Sequence, residues 1–168
     1  HGVGAVAALF KSSRPSAAMA KRILVAVDGS AEAAEALQFA ADEWPDADLT
    51  ALHVINPADS ATGAEGGFPG AADQWYRSAE QRGERILSEA ADAVDRRVET
   101  RLEVGRPTPT ILGVAGGEQP AGDGDGPGEP FDHVVLASQG RTGLSRVLLG
   151  SVAEAVVRRA EMPVTVVR

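Results

Sequence analysis

The sequence predicts a doubly wound α/β fold: a parallel sheet of five strands with helices on both faces. Three observations carry that expectation. Arg22-Ile-Leu-Val-Ala-Val27 is a continuous apolar run closed by the breaker pair Asp28-Gly29, as in a strand buried on both faces. Runs of this kind alternate along the chain with stretches of helical periodicity, the order in which a parallel sheet and its crossover helices are laid down. Finally, the apolar residues His133 to Leu136 lead through glycines at fixed offsets into an amphipathic segment opening at Ser151.

The elements follow in order. Ser30 is a good N-cap for a helix that sets Leu37, Ala40, Ala41 and Trp44 at helical spacing, and Pro45-Asp46 ends it. Leu49 to Ile55 is the second strand, joined to the first by a right-handed crossover, and Asn56-Pro57 stops it. Residues 58 to 72 are rich in Gly, Ala, Asp and Pro without periodicity and read as a mobile loop. A long helix from about Asp73 to Asp95 carries Trp75, Ala79, Ile86, Ala90 and Val94 along one stripe. Val98 to Val104 alternates apolar and polar residues, which predicts a strand at the sheet edge. After Gly105-Arg-Pro107, Thr108 is expected to cap a short helix with Pro109 at its first position and Ile111, Leu112 and Val114 inward. Gly116 to Pro130 holds six glycines, three prolines and four acids but no base, the composition of a solvated, disordered loop. Phe131 to Leu136 is the fourth strand. The last helix opens at Ser151 with Val152, Ala155 and Val156 inward and Arg158 and Arg159 at its negative end. Pro163 stops it, and Val164 to Val167 gives the fifth strand. No internal repeat is present.

Length and composition narrow the function. One domain accounts for 168 residues, and 43% hydrophobic content is ample for a single core. Zero cysteines exclude disulfides, thiolate metal sites and a cysteine nucleophile, in keeping with a reducing cytoplasm. The net charge is −8; the first 18 residues hold Lys11 and Arg14 with no acid, so the remainder carries −10. A nucleic-acid partner is not expected, because no basic cluster exceeds a pair such as Arg96-Arg97 or Arg158-Arg159, and these read as solvated helix ends. Two lysines against fourteen arginines, with the acidic excess, suggest a halophilic or GC-rich source. No apolar run reaches the ~18 residues that span a bilayer, so no membrane role is expected. Residues 1 to 18 resemble a short signal core, but Lys11 and Arg14 follow the apolar stretch where a secretory signal carries its charges first. They read as an N-terminal extension or a cloning remnant before a domain at 19 to 168.

The segment Ala137-Ser-Gln-Gly140-Arg-Thr-Gly-Leu-Ser-Arg-Val-Leu-Leu-Gly150-Ser151 is suited to phosphate. Backbone amides approach an anion closely only where no Cβ intervenes, which marks Gly140 and Gly150. The helix opening at Ser151 adds unpaired N–H groups and the positive end of its dipole. Asp28 ends the first strand at the carboxyl edge, where open α/β sheets bind ligands, and an Asx-type turn into the helix at Ser30 is its compatible structural role.

This segment resembles the nucleotide-binding signature of the universal stress protein family: a Gly, two residues, a Gly, nine residues, then Gly-Ser or Gly-Thr. Gly140 is followed by nine residues and then Gly150-Ser151; Ala137 stands where the family has its first glycine. The resemblance extends over nearly all of residues 21 to 168, through Ile-Leu-Val-Ala-Val-Asp28-Gly-Ser, His53-Val54, Gly105-Arg-Pro and Pro163-Val-Thr-Val-Val. It implies the strand order 3-2-1-4-5 of the Rossmann-like adenine nucleotide alpha hydrolase fold. It further implies ATP binding, with Mg²⁺ or Mn²⁺ bridging the phosphates, at Ala26, Val27, Asp28, Val54, Ala137, Gly140, Gly150, Ser151 and Val152. Within that set Asp28 lies at the nucleotide, and the backbone at Val54 recognises adenine. A homodimer through Val164 to Val167, a cytoplasmic location and at most slow ATP hydrolysis are also implied. The alternative is the family's subgroup that binds no nucleotide and acts through protein contacts.

Other chemistries lack their parts. His53 and His133 have no second His, Cys or carboxylate at ligand spacing and read as packed or hydrogen-bonded strand histidines; no metal motif is present. Ser138, Ser145 and Ser151 are not set in a Gly-x-Ser-x-Gly elbow. The His-x-Gly-His pattern of nucleotidyltransferases and the Gly-Lys-Ser/Thr of a P-loop are both absent, so fast phosphoryl transfer lacks its base and its lysine.

Overall fold

The computed structural model describes residues 20–60, 69–119, 126, 128–139 and 149–168. The N-terminal extension, most of the 58–72 loop, the middle of the acidic segment and Gly140 with its following residues lie outside the described set. The chain runs β1 (Arg22–Ala26), α1 (Ala31–Glu43), β2 (Asp48–Ile55), a 3₁₀ turn (Pro57–Asp59), α2 (Ala71–Asp92), β3 (Val98–Val104), α3 (Pro107–Ala115), β4 (His133–Ala137), α4 (Ser151–Arg159) and β5 (Val164–Val167). The strands pair in the order β3-β2-β1-β4-β5, every pair parallel. The doubly wound sheet and its order are those expected.

Continuous apolar strands sit where two helix layers cover them. In the central strands β1 and β4, Ile23, Leu24, Val25, Val134 and Val135 are wholly buried. One face packs Ile23, Val25, Leu49 and Ala51 beneath α1 and α2 through Ala36, Leu37, Ala40 and Leu87. The other packs Leu24, Leu52, Val134 and Leu136 beneath α3 and α4 through Ile111, Val114, Ala153 and Val156. β3 is the edge its alternation predicts; Arg101 pairs along the strand with Glu103, and Arg97, just before the strand, pairs with Glu99.

Several boundaries move, each for a physical reason. α3 begins at Pro107, with Arg106 as its cap, instead of at Pro109 capped by Thr108, because the fixed φ of Pro107 already suits a first helical position. In α4 it is Ala153 that is buried with Val156, and Ala155 is only half-buried; a nine-residue helix takes its phase from the sheet beneath it. α2 spans Ala71–Asp92 instead of Asp73 to Asp95: Ala79, Ile86 and Ala90 of the expected stripe face the sheet together with Gly83 and Leu87, Trp75 is only half-buried, and Val94 is buried just past the helix end. β4 starts at His133, and Phe131 is buried just before it with the Arg22 guanidinium 4.3 Å over its ring.

Arg96 is not a solvated helix end. Its guanidinium reaches back to the C-terminus of α1, donating from Nη1 to the carbonyls of Ala41 (3.3 Å) and Trp44 (2.9 Å) and from Nη2 to that of Ala47. α1 has no basic residue in its own last turn, so a cation about fifty residues downstream fills that place. Arg97, by contrast, is exposed.

The acidic segment is ordered at both ends. Gly128 N–H donates to Gly117 C=O (2.7 Å), Phe131 N–H to Ala115 C=O (2.8 Å), and Arg22 Nη1 to the carbonyls of Glu129 and Pro130. Since α3 runs antiparallel to the strands, these paired stems sit at the amino end of the sheet.

Beside the first residue of β4, the His133 ring lies 4.7 Å from that of Trp44, and its Nε2 is 2.7 Å from Thr165 Oγ1 on β5. Burial, and then the charge of Lys21, lower its pKa from 6.5 to about 4. Between these values the unfolded chain takes up a proton that the folded chain refuses. The contribution of His133 is therefore complete above pH 6.5 and is lost as the pH falls towards about 4. Melting curves of the protein and of His133→Gln are expected to converge on acidification across that window; parallel curves would show that the ring takes up its proton as readily in the fold as in the unfolded chain.

Candidate functional site

The carboxyl ends of β2, β1 and β4 lie side by side, and between β1 and β4 the order of connection reverses. Strands spaced at ~4.8 Å bring the exits of β2 and β4 to within ~10 Å across β1. Three groups of residues converge there: Ala26, Val27 and Asp28 from β1, Val54 from β2, and Ala137 with Gly150, Ser151 and Val152 from β4 and the helix after it.

The β1 exit is a tight, braced turn. Asp28 Oδ1 accepts the Ser30 N–H (3.0 Å), and Ser30 Oγ in turn accepts the Ala33 N–H (3.1 Å), capping α1 as expected. Between them Gly29 has φ +86°, and a Cβ there would lie 3.2 Å from two carbons of Ile86 on α2. The turn needs glycine on both counts, and it rests on α2. Asp28 is half-buried and makes the Asx turn foreseen for it.

On the other side, Ala137 ends β4 opposite Val167, half-buried against the first core. Ser138 N–H donates to Val167 C=O (2.8 Å), and Gly150 N–H donates to Ser138 C=O (2.7 Å), so the two ends of the signature loop are held together. Gly150 is the extended N-cap of α4, and no side chain caps this helix. Glu154 N–H takes the Gly150 carbonyl (2.9 Å), which leaves the amides of Ser151, Val152 and Ala153 at a positive helix end beside the β1 exit. Ser151 is exposed, and Val152 leans on the second core. A phosphate chain is the anion that a glycine-flanked helix start of this kind accommodates.

Among the described residues no group of three or more His, Asp or Glu is placed to hold a metal ion. Asp28 is the one carboxylate among the predicted site residues. A divalent ion here would take its remaining ligands from phosphate oxygens and water, as Mg²⁺ ordinarily does. The described stems of the acidic segment, at Gly117 and Gly128, lie at the opposite end of the sheet. His53 is the hydrogen-bonded strand histidine expected of it, and its partner lies at the edge of this site. Its Nδ1 lies 2.8 Å from the Val27 carbonyl oxygen.

Strand order, the switch point and the uncapped helix define a nucleotide-fold α/β domain, and comparison with known proteins narrows it. Residues 19–121 and 128–168 match the universal stress protein family, and the chain belongs to that family. It is similar to a universal stress protein of Mycobacterium tuberculosis, 32% identical over 155 residues that cover 86% of this chain and 47% of the relative. This chain thus spans about half the length of the mycobacterial protein. Among solved structures, the hypothetical protein MJ0577 has a TM-score of 0.63 at 28% identity, covering 89% of this chain and 96% of its own. A universal stress protein in complex with cAMP has the same fold, with a TM-score of 0.55 at 23% identity over 90% of this chain and 98% of its own. The relatives give the halophilic source no support. No helix among the described residues is long and apolar enough to cross a membrane.

Proposed function

We propose that this chain binds ATP, together with Mg²⁺ or Mn²⁺, at the carboxyl edge of the sheet and acts as a nucleotide-responsive dimer with at most slow hydrolysis. The observation that carries this reading is the start of α4: three backbone amides with no side-chain cap, behind a loop whose ends are pinned at Ser138 and Gly150. The triphosphate would lie along that helix end and the signature loop, with Gly140 and Gly150 admitting close backbone approach. Asp28 stands beside the phosphates or ribose, and the Val54 backbone faces adenine. Ala26, Val27, Ala137 and Val152 line the cleft. That a relative by fold is described in complex with cAMP supports an adenine nucleotide in such a cleft. Among the described residues no positioned base or lysine of the phosphoryl-transfer kind accompanies it, which fits a binding role better than rapid turnover.

Calorimetric titration with ATP·Mg²⁺ tests the site. Gly140→Val is expected to abolish binding by placing a branched side chain against the phosphates. Ala137→Gly is expected to preserve or tighten it by ~1 kcal/mol, against ~0.5–1 kcal/mol of fold stability that glycine costs in a strand. Unchanged affinity in Gly140→Val would place the phosphates elsewhere. The second reading, a member acting through protein contacts alone, rests on Ala137 replacing the signature's first glycine; it predicts no heat of binding at all.

The dimer reading rests on β5, a strand of four half-buried residues whose outer edge pairs with no strand among the described residues. Light scattering is expected to give twice the chain mass for the whole protein and monomer or insoluble material for a chain ending at Pro163. A truncated chain that stays a stable dimer would move the interface elsewhere.

A further inference from the structure

In the ladder between β1 and β2, Ala26 faces Leu52, and the last rung is Val27 N–H to Leu52 C=O at 2.8 Å. A parallel ladder continues from such a rung with the amide two residues on, so the next bond would run from Val54 N–H to Val27 C=O and a further one from Gly29 N–H to Val54 C=O. Neither backbone bond is made among the described residues. His53 Nδ1 takes the Val27 carbonyl instead, at 2.8 Å; because its partner is a carbonyl oxygen, Nδ1 is the protonated ring nitrogen.

The imidazole fits because α2 presents a glycine to it. A Cβ at Gly83 would lie 2.9 Å from His53 Cδ2 and 2.7 Å from Leu102 Cδ1, closer than side-chain contacts allow. Gly83 is buried in the middle of α2, where glycine costs ~1 kcal/mol relative to alanine. That cost is what makes room for the ring. The arrangement links α2 to the β1 exit twice, through Gly83 and His53 to Val27 and through Ile86 to Gly29.

We propose that His53 is a positioning residue of the nucleotide site: by holding the Val27 carbonyl it keeps the amide and carbonyl of Val54 out of the sheet, where they pair with the donor and acceptor edge of adenine. This rests on the nucleotide reading for the identity of the ligand but not for the release of Val54. A base with the opposite edge pattern, such as guanine, meets a donor with a donor at the same backbone.

Amide exchange followed by NMR on the ligand-free protein tests the release, and calorimetry with ATP and GTP tests its use. Val54 N–H is expected to exchange freely in the protein and in His53→Asn, whose amide nitrogen reaches the same carbonyl. In His53→Leu it is expected to close onto Val27 and gain at least about tenfold protection, with Gly83→Ala, which displaces the ring without altering it, changing in the same direction. His53→Leu is expected to lose about tenfold in ATP affinity and its preference for ATP over GTP, while His53→Asn keeps both. Equal Val54 exchange in all four proteins would overturn the proposal, as would a folded His53→Leu that keeps affinity and base preference. If the protein binds no ATP but the exchange difference appears, the nucleotide reading fails and the release of Val54 stands.

Discussion

In the presence of Mg²⁺, ATP at ~100 times its dissociation constant is expected to stabilise the fold by about 2.7 kcal/mol, which for a chain of this size raises Tm by roughly 5–11 °C. The gain requires only that the folded state bind and the unfolded state not. Because the amides of α4 and the backbone of Val54 come together only in the assembled sheet, the linkage would apply in full to the proposed site. GTP is expected to give a clearly smaller shift at equal concentration, since the two nucleotides share their phosphates but not the base edge that the proposed site would read at Val54. Scanning calorimetry with each nucleotide decides it. An unchanged Tm under saturating ATP would rule out nucleotide binding and leave the protein-contact reading.

Arg96→Ala is expected to cost about 3 kcal/mol in the absence of ligand, a drop in Tm of order 10 °C. One half-buried guanidinium satisfies three carbonyls where α1 turns towards β2, and charged hydrogen bonds are worth ~1.5–3 kcal/mol each but do not add. Arg96→Lys keeps the charge near the negative end of α1 yet cannot spread two nitrogens over three acceptors; less than half the loss is expected to return. Urea unfolding of the three proteins measures this. A change below ~0.5 kcal/mol in Arg96→Ala would mean that water replaces the guanidinium without penalty.

What could be read from the sequence and what could not divides along the range of the interaction. β1 and β4 were legible because a parallel strand between two helix layers must be apolar on both sides, and each run is closed by a turn signal. Ser30 was legible because an N-cap acts over three residues, and Asp28 because its Asx turn acts over two. The helix at Pro107 was two residues out because two prolines, at 107 and 109, are both compatible with a first turn, and local chemistry does not choose between them. The role of Arg96 was misjudged, and the partner of His53, rightly expected to be hydrogen-bonded, was not foreseen, for one reason. Each acts on carbonyls tens of residues away, and an arginine in a pair or a lone histidine in a strand carries no local sign of the acceptor it will meet. Gly83 lay hidden in the same way, as its partner is His53 and not its own helix. At the site, the glycine spacing was legible, whereas the release of Val54 depends on a register between β1 and β2 that no single segment encodes.

The paired stems of the acidic segment have a consequence for the gene as well as for the protein. With Gly117 bonded to Gly128 and Ala115 to Phe131, the intervening chain enters and leaves the fold at one point, about 15 Å along β4 from the cleft. Doubling the length of such an insert costs only ~0.6 kcal/mol in closure entropy. Drift in length there goes almost unpunished, and the same spot is a natural cassette position: a fluorescent or affinity domain grafted between residues 119 and 128 would ride on the amino end of the sheet while the opposite end stays open to its ligand.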